Sequence, residues 1–212
     1  MPVDDAMRAE HVFKLLVTGP SAAGKTTLIQ AISHTPVVET DVATTGDESA
    51  VKARTTVAMD FGTYALRGDR DDAETDDIRL LMFGTPGQRR FWFMTDVLKG
   101  DVDAVVYVID ADAEHTHAEA GEAMRALLTD LRVPLVVAVN RCDDPARADL
   151  VARSLGALVS EAVVPCQLVH AESARAVVIE ALIAVLDRLE RDAVSVVHPV
   201  ERARNHLVAG AA

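Results

Sequence analysis

The stretch GPSAAGKT, residues 19–26, constrains this chain more than any other feature. It directly follows an apolar, β-rich segment from His11 to Thr18 and opens a helix-forming stretch from Lys25 to about Ser33. It matches G-x-x-x-x-G-K-[ST] in the strand, turn, helix context that gives the pattern its physical meaning. Gly19 and Gly24 let the loop fold tightly, so that backbone N–H groups of Ser21, Ala22, Ala23, Gly24, Lys25 and Thr26 can converge on the phosphates of a nucleotide, with the helix N-terminus adding a favourable dipole. Lys25 supplies a mobile positive charge. Thr26 offers a hydroxyl to magnesium, and Thr27, one residue on, reaches the α phosphate. A glycine turn that is merely tight is the alternative, and lysine and threonine in the last two positions argue against it. The cradle points to a nucleoside triphosphate and leaves the base open.

The rest of the chain alternates in a way that fits such a cradle. Residues 34–54 lack periodicity and are rich in Thr, Asp and Glu, the composition of a long functional loop. TTVAMDFGTYAL (55–66) and IRLLMFG (78–84) read as two strands around the acidic tip GDRDDAETDD, joined too briefly for a crossover and therefore antiparallel. DAVVYVID (103–110) and PLVVAVN (134–140) are near-continuous apolar β-branched runs, the pattern of strands buried on both faces of a parallel sheet. AVVPC (162–166) adds a short strand. Helices are expected over roughly 113–131, 145–155 and 172–191, the last from Val178, Leu182, Val185 and Leu189 at helical spacing. The expectation is an α/β fold: a doubly wound, mostly parallel six-stranded sheet with one antiparallel strand, helices on both faces, and ligands beyond the carboxyl ends of the strands.

Size and charge narrow the function classes. With 212 residues, half of them hydrophobic, the chain is expected to form one domain over 11–197, with an extension at 1–10 and a tail at 198–212. A net charge of −12 argues against a surface built for nucleic acid or an anionic membrane, while leaving room for one local basic pocket. Cys142 and Cys166 are too few for a disulfide framework, and no signal-type or membrane-spanning apolar run is present. Position 2 is not glycine and the end, HLVAGAA, carries no cysteine for a prenyl group, so no direct membrane anchor is expected. The expected location is the cytoplasm, with any membrane contact borrowed from a partner. HTH at 115–117 puts two imidazoles on different faces of a helix start, which argues against a metal pair.

Two further motifs carry a family resemblance. NRCD at 140–143 resembles the N-K-x-D signature of GTPases, with Arg141 in place of lysine, and FGTPGQ at 83–88 resembles D-T-x-G-Q, the start of their switch II, with Gly84 where an aspartate usually stands. TTVAMDF at 55–61 resembles the T-x-x-x-D-F end of switch I. The chain thus resembles small Ras-superfamily GTPases, and specifically the bacterial branch that includes MglA and the GTPases encoded with roadblock-type proteins in actinobacterial operons. The resemblance implies that Asn140 and Asp143 select guanine, with Arg141 laid along the base, and that Cys166 and Gln167 are candidates at the guanine oxygen. It makes Thr56, or Thr55 if the register slips, a ligand of magnesium and the γ phosphate beside Thr26. Gly87 then offers its N–H to that phosphate, and Gln88 orients the attacking water.

The missing carboxylate at Gly84 is shared by MglA-like proteins and implies weaker magnesium binding. Arg54 is the candidate for an arginine that neutralises transition-state charge, although a solvated loop arginine is the simpler reading; Arg89 and Arg90 are further candidates. Phe91, Trp92 and Phe93 either pack beneath switch II or leave one aromatic as an anchor for a partner. The implied activity is a switch that binds GTP and hydrolyses it, slowly and with partner stimulation, to GDP and phosphate. The implied partners are a roadblock-type regulator and operon-encoded sensor proteins. A GTP-binding scaffold with negligible hydrolysis and an ATP-using phosphotransferase on the same loop stay open as alternatives.

Overall fold

The computed structural model describes residues 10–36, 59–67, 77–87, 100–158 and 161–209. Six strands form one sheet: β1 (Glu10–Thr18), β2 (Asp60–Leu66), β3 (Asp77–Gly84), β4 (Ala104–Asp110), β5 (Leu135–Asn140) and β6 (Ala162–Cys166). Their order is β2-β3-β1-β4-β5-β6, parallel throughout except that β2 runs antiparallel to β3. The helices described are α1 (Lys25–Ile32), α2 (His117–Asp130), entered through a 3-10 turn at Glu114–Thr116, α3 (Pro145–Leu155) and α4 (Ala171–Ala209).

Strand chemistry explains the layering. Every residue of β4 and β5 is buried, as their β-branched apolar runs require of strands covered on both sides. Alternation along each strand then sends neighbouring side chains to opposite faces. Leu15, Val17, Val106 and Val108 join Leu28 and Ile29 of α1 and Val178, Leu182 and Val185 of α4. Leu16, Val105, Tyr107 and Ile109 meet Met124 and Leu127 of α2 and Ala148, Ala152 and Leu155 of α3.

The last helix departs from the expectation of an element ending near 191 and a tail from 198. α4 continues to Ala209. Its second half contains no glycine, and the helix runs on past Pro199, whose missing N–H interrupts one backbone bond without ending it.

The sheet's carboxyl edge gathers the segments of interest. The loops after β1, β3, β4, β5 and β6 all emerge there because those strands are parallel. β2 contributes its start instead: being antiparallel, it brings Asp60 opposite Gly84 at the same edge.

Candidate functional site

The loop between β1 and α1 is shaped by backbone that most residues avoid. Gly19 has φ +136°, and a Cβ there would lie 2.1 Å from the Val108 carbonyl oxygen of β4, so the residue that turns the chain out of β1 has neither the dihedral nor the room for a side chain. Gly24 caps α1 at φ +114°, and Ala22 is held at φ +60°. The Lys25 ammonium donates to the Pro20 carbonyl at 2.6 Å, closing the loop on itself. Burial lowers the Lys25 pKa to about 8, an effect that the nearby Asp60 carboxylate partly offsets.

Asp60 is the residue at this edge to which sequence reasoning gave no role. The Thr26 hydroxyl donates to Asp60 Oδ2 at 2.5 Å. A hydroxyl that gives its hydrogen to a carboxylate keeps its lone pairs free for a cation. A Cβ built on Gly84 would lie 2.9 Å from Asp60 Cβ and 3.3 Å from Asp60 Oδ2. The carboxylate missing from β3 therefore has a counterpart on β2, filling the space that a side chain at position 84 would need. The signal was available in the antiparallel pairing of the two strands, which sets the aspartate of MDF opposite the glycine of MFG. Thr26 and Asp60 offer hard oxygen donors next to the phosphate loop, a set suited to magnesium, which typically takes one or two protein oxygens together with phosphate and water.

The turn after β3 comes over the same loop. Thr85 donates its N–H to the Val17 carbonyl at 2.9 Å and its hydroxyl to Thr18 Oγ1 at 2.9 Å, fastening β3's end to that of β1. Gly87 follows so closely that a Cβ would lie 2.4 Å from the Ser21 nitrogen and 2.6 Å from Lys25 Nζ. Position 87 thus brings backbone, and no side chain, to the loop and its lysine.

On the other side of the loop, Asn140 works as a bracket. Its Nδ2 donates to the Ala23 carbonyl at 2.9 Å and its Oδ1 accepts from the Leu168 N–H at 3.1 Å, so one buried amide joins the ends of β5 and β6 to the loop after β1. Asp143 lies exposed nearby, accepting from Gln167 Nε2 at 3.1 Å.

Three residues expected at the base have partners or packing within the protein. Arg141, at φ +56°, sends its guanidinium to the buried Asp110 carboxylate at the end of β4. The Gln167 N–H, expected to face a guanine oxygen, donates to Ser173 Oγ at 2.8 Å. The Cys166 side chain packs in the core, and burial pushes its thiol up to about 12. Asp110 and Ser173 were not singled out in the sequence, since neither falls in a recognisable motif.

The structure thus brings together Gly19, Ser21, Ala22, Ala23, Gly24, Lys25, Thr26, Gly87, Asn140 and Asp143 at one edge of the sheet. Thr27 is half-buried on α1. Arg54, Thr55, Thr56, Gln88, Arg89, Arg90, Phe91, Trp92 and Phe93 lie outside the described residues.

The chain is 28% identical to Ras-related protein Rab-7L1 of Homo sapiens over 140 residues, 63% of this chain and 61% of the relative. It is 27% identical to Ras-related protein RABA5e of Arabidopsis thaliana over 146 residues, 68% and 59% of the two chains. It is 33% identical to the uncharacterized protein MJ1339 of Methanocaldococcus jannaschii over 139 residues, 65% and 74%. The chain therefore spans about three-fifths of the length of the Ras-related relatives. The six-stranded sheet with its single antiparallel strand is that of a P-loop NTPase of the Ras-like kind. The sequence profile of a family described as "Conserved hypothetical ATP binding protein" matches residues 35–191, well over half of the chain, and the protein belongs to that family.

Proposed function

We propose that this protein is a small GTP-binding switch that hydrolyses GTP to GDP and phosphate slowly and with help from a partner. The observation that carries the reading is the Asn140 bracket: one amide ties the phosphate loop at Ala23 to the β6 loop at Leu168, and the Asp143 carboxylate stands three residues on. A carboxylate there accepts from two adjacent donors on one edge of a purine, which guanine offers and adenine does not. The family's description names ATP; the residues at the base position favour guanine. In this reading guanine displaces the Gln167 amide from Asp143.

Lys25 and the amides from Ser21 to Thr26 hold the phosphates, and Gly87 meets the terminal one. Thr26 and Thr56 would hold magnesium, with Asp60 orienting the Thr26 hydroxyl. The metal, when bound, neutralises charge on the phosphate oxygens. Gln88 orients the attacking water and Arg54 neutralises transition-state charge. A GTP-bound state orders the segments carrying Thr56 and Gly87, and partners read that order. The motif set supports membership of the MglA-like branch, with a roadblock-type regulator and operon-encoded sensor proteins as partners, acting in the cytoplasm or recruited to a membrane by them. Among the described residues no helix is long and apolar enough to cross a membrane.

Gly84 favours a second reading, a GTP-dependent scaffold with negligible turnover; Asp60 weakens it by supplying a carboxylate at the same place. Single-turnover hydrolysis of GTP separates the two. The switch predicts measurable turnover that falls at least about 10-fold in Gln88→Ala and Arg54→Ala. Rates unchanged in both variants would remove those residues from the mechanism, and no turnover with or without a partner would leave the scaffold.

A further inference from the structure

We infer that Asp110 is a positioning residue for nucleoside binding: it anchors the Arg141 guanidinium so that the arginine's stem is held across the gap between the phosphate loop and the base-reading loop. The inference rests on the GTP-binding reading given above. The topology supplies the first argument. β4 lies between β1, which leads into the phosphate loop, and β5, which leads into Asn140 and Asp143. Asp110 is the last residue of β4, and Arg141 is the first residue after β5. An arginine that starts at β5's end and terminates at β4's end must run along the sheet's carboxyl edge toward the phosphate loop. That path lies between the two loops that a nucleotide would bridge.

Charge and backbone supply the second argument. Asp110 is buried, whereas the Arg141 side chain is half exposed. A buried carboxylate is costly unless it is paired and hydrogen-bonded. Oδ2 takes the Arg141 guanidinium, and Oδ1 accepts the Asp112 N–H at 3.0 Å. The Asp110 carbonyl is bonded to His117 Nε2 at 2.9 Å, and the Ala111 N–H donates to the Asn140 carbonyl at 3.0 Å. The anchor is therefore fastened to the same Asn140 whose side chain grips the phosphate loop. Arg141 itself sits at φ +56°, a conformation uncommon for a residue with a side chain and one that persists where its surroundings enforce it.

The substitution of arginine for the expected lysine gains a physical reason from this pair. A planar guanidinium can dock on a carboxylate with fixed geometry, whereas an ammonium is a point charge that sets no plane. Asp110 and Arg141 act as one unit. The stem forms a wall for the sugar and base, and Asp110 keeps it in place before the nucleotide arrives, which lowers the ordering cost of binding.

The test is the release rate of a fluorescent GDP analogue from the full chain in magnesium buffer, followed alongside thermal unfolding. Asp110→Asn and Arg141→Gln are each expected to speed release about 10-fold, through loss of the ordering that the pair provides before the nucleotide arrives. The double variant Asp110→Asn/Arg141→Gln leaves no unpaired buried charge and so keeps the fold even if Arg141→Gln alone, which strands the buried carboxylate, does not. It is expected to release about as fast as the worse single variant, because the two residues serve one purpose. A folded double variant with wild-type release would overturn the inference while the GTP-binding reading stands. Single effects that multiply to about 100-fold in the double variant would also overturn it, by making the two residues independent. An unmodified chain that fails to retain the guanine analogue would overturn the reading and this inference with it.

Discussion

Gly84 faces Asp60 across the β2–β3 ladder, and the space between them decides what either position can hold. A Cβ at 84 would come within 2.9 Å of both Asp60 Cβ and Ile29 Cδ1, so restoring the carboxylate that the motif usually carries does not restore a site. Gly84→Asp is expected to lower stability by about 1–3 kcal/mol through overpacking, with like-charge repulsion added. Urea denaturation with an unchanged m-value checks this; a variant as stable as the wild type would mean that the edge has room for both carboxylates. Asn140 is a different kind of residue, buried and bonded at both ends of its amide. Asn140→Ala leaves the Ala23 carbonyl and the Leu168 N–H without their partner, and the same denaturation measurement is expected to show a loss of about 2–4 kcal/mol. A loss under about 0.5 kcal/mol would show that the bracket contributes no rigidity.

Elements position these residues by local rules. α3 begins where it does because Asp144 Oδ1 accepts the Ala146 N–H at 2.9 Å and Pro145 occupies the first turn; it ends at Gly156 in the left-handed region. The same cap closes the turn that carries Cys142 and Asp143, so Asp144→Ala is expected to cost about 1 kcal/mol and to loosen guanine nucleotide binding. Thermal unfolding and nucleotide titration read the two effects separately; intact stability would contradict the cap's role. Much of this was legible in the sequence because it is local. GPSAAGKT, the buried runs VVYVI and LVVAV, and the α3 boundaries depend on neighbours along the chain. What was not legible depends on contacts between elements: the Asp60–Thr26 bond and the Asp110–Arg141 pair join residues far apart in the chain, and the Ser173 hydroxyl meets the Gln167 N–H across the turn from β6 into α4. α4 outran its expected end for another reason. Pro199 reads as a stop in isolation, yet one missing N–H does not end the helix, which runs through it to Ala209.

At the scale of the whole molecule, the parallel strands deliver five loops and the antiparallel strand delivers Asp60 to one edge, where the proposed phosphate and base sites meet. An acidic chain, net charge −12, concentrates Lys25 beside the phosphate loop, so the attraction for a polyanion is local. The relatives include Ras-related proteins, and the family description names ATP, so the identity of the base carries the most weight in the account. The most direct test is a competition titration of GTP against ATP on the purified full chain in magnesium, repeated with Asp143→Ala. The account predicts that GTP binds at least about 100-fold more tightly than ATP, and that the difference collapses in the variant, as expected when a site's hydrogen-bonding carboxylate is removed. Equal affinity for the two nucleotides, or a preference for ATP, would contradict it.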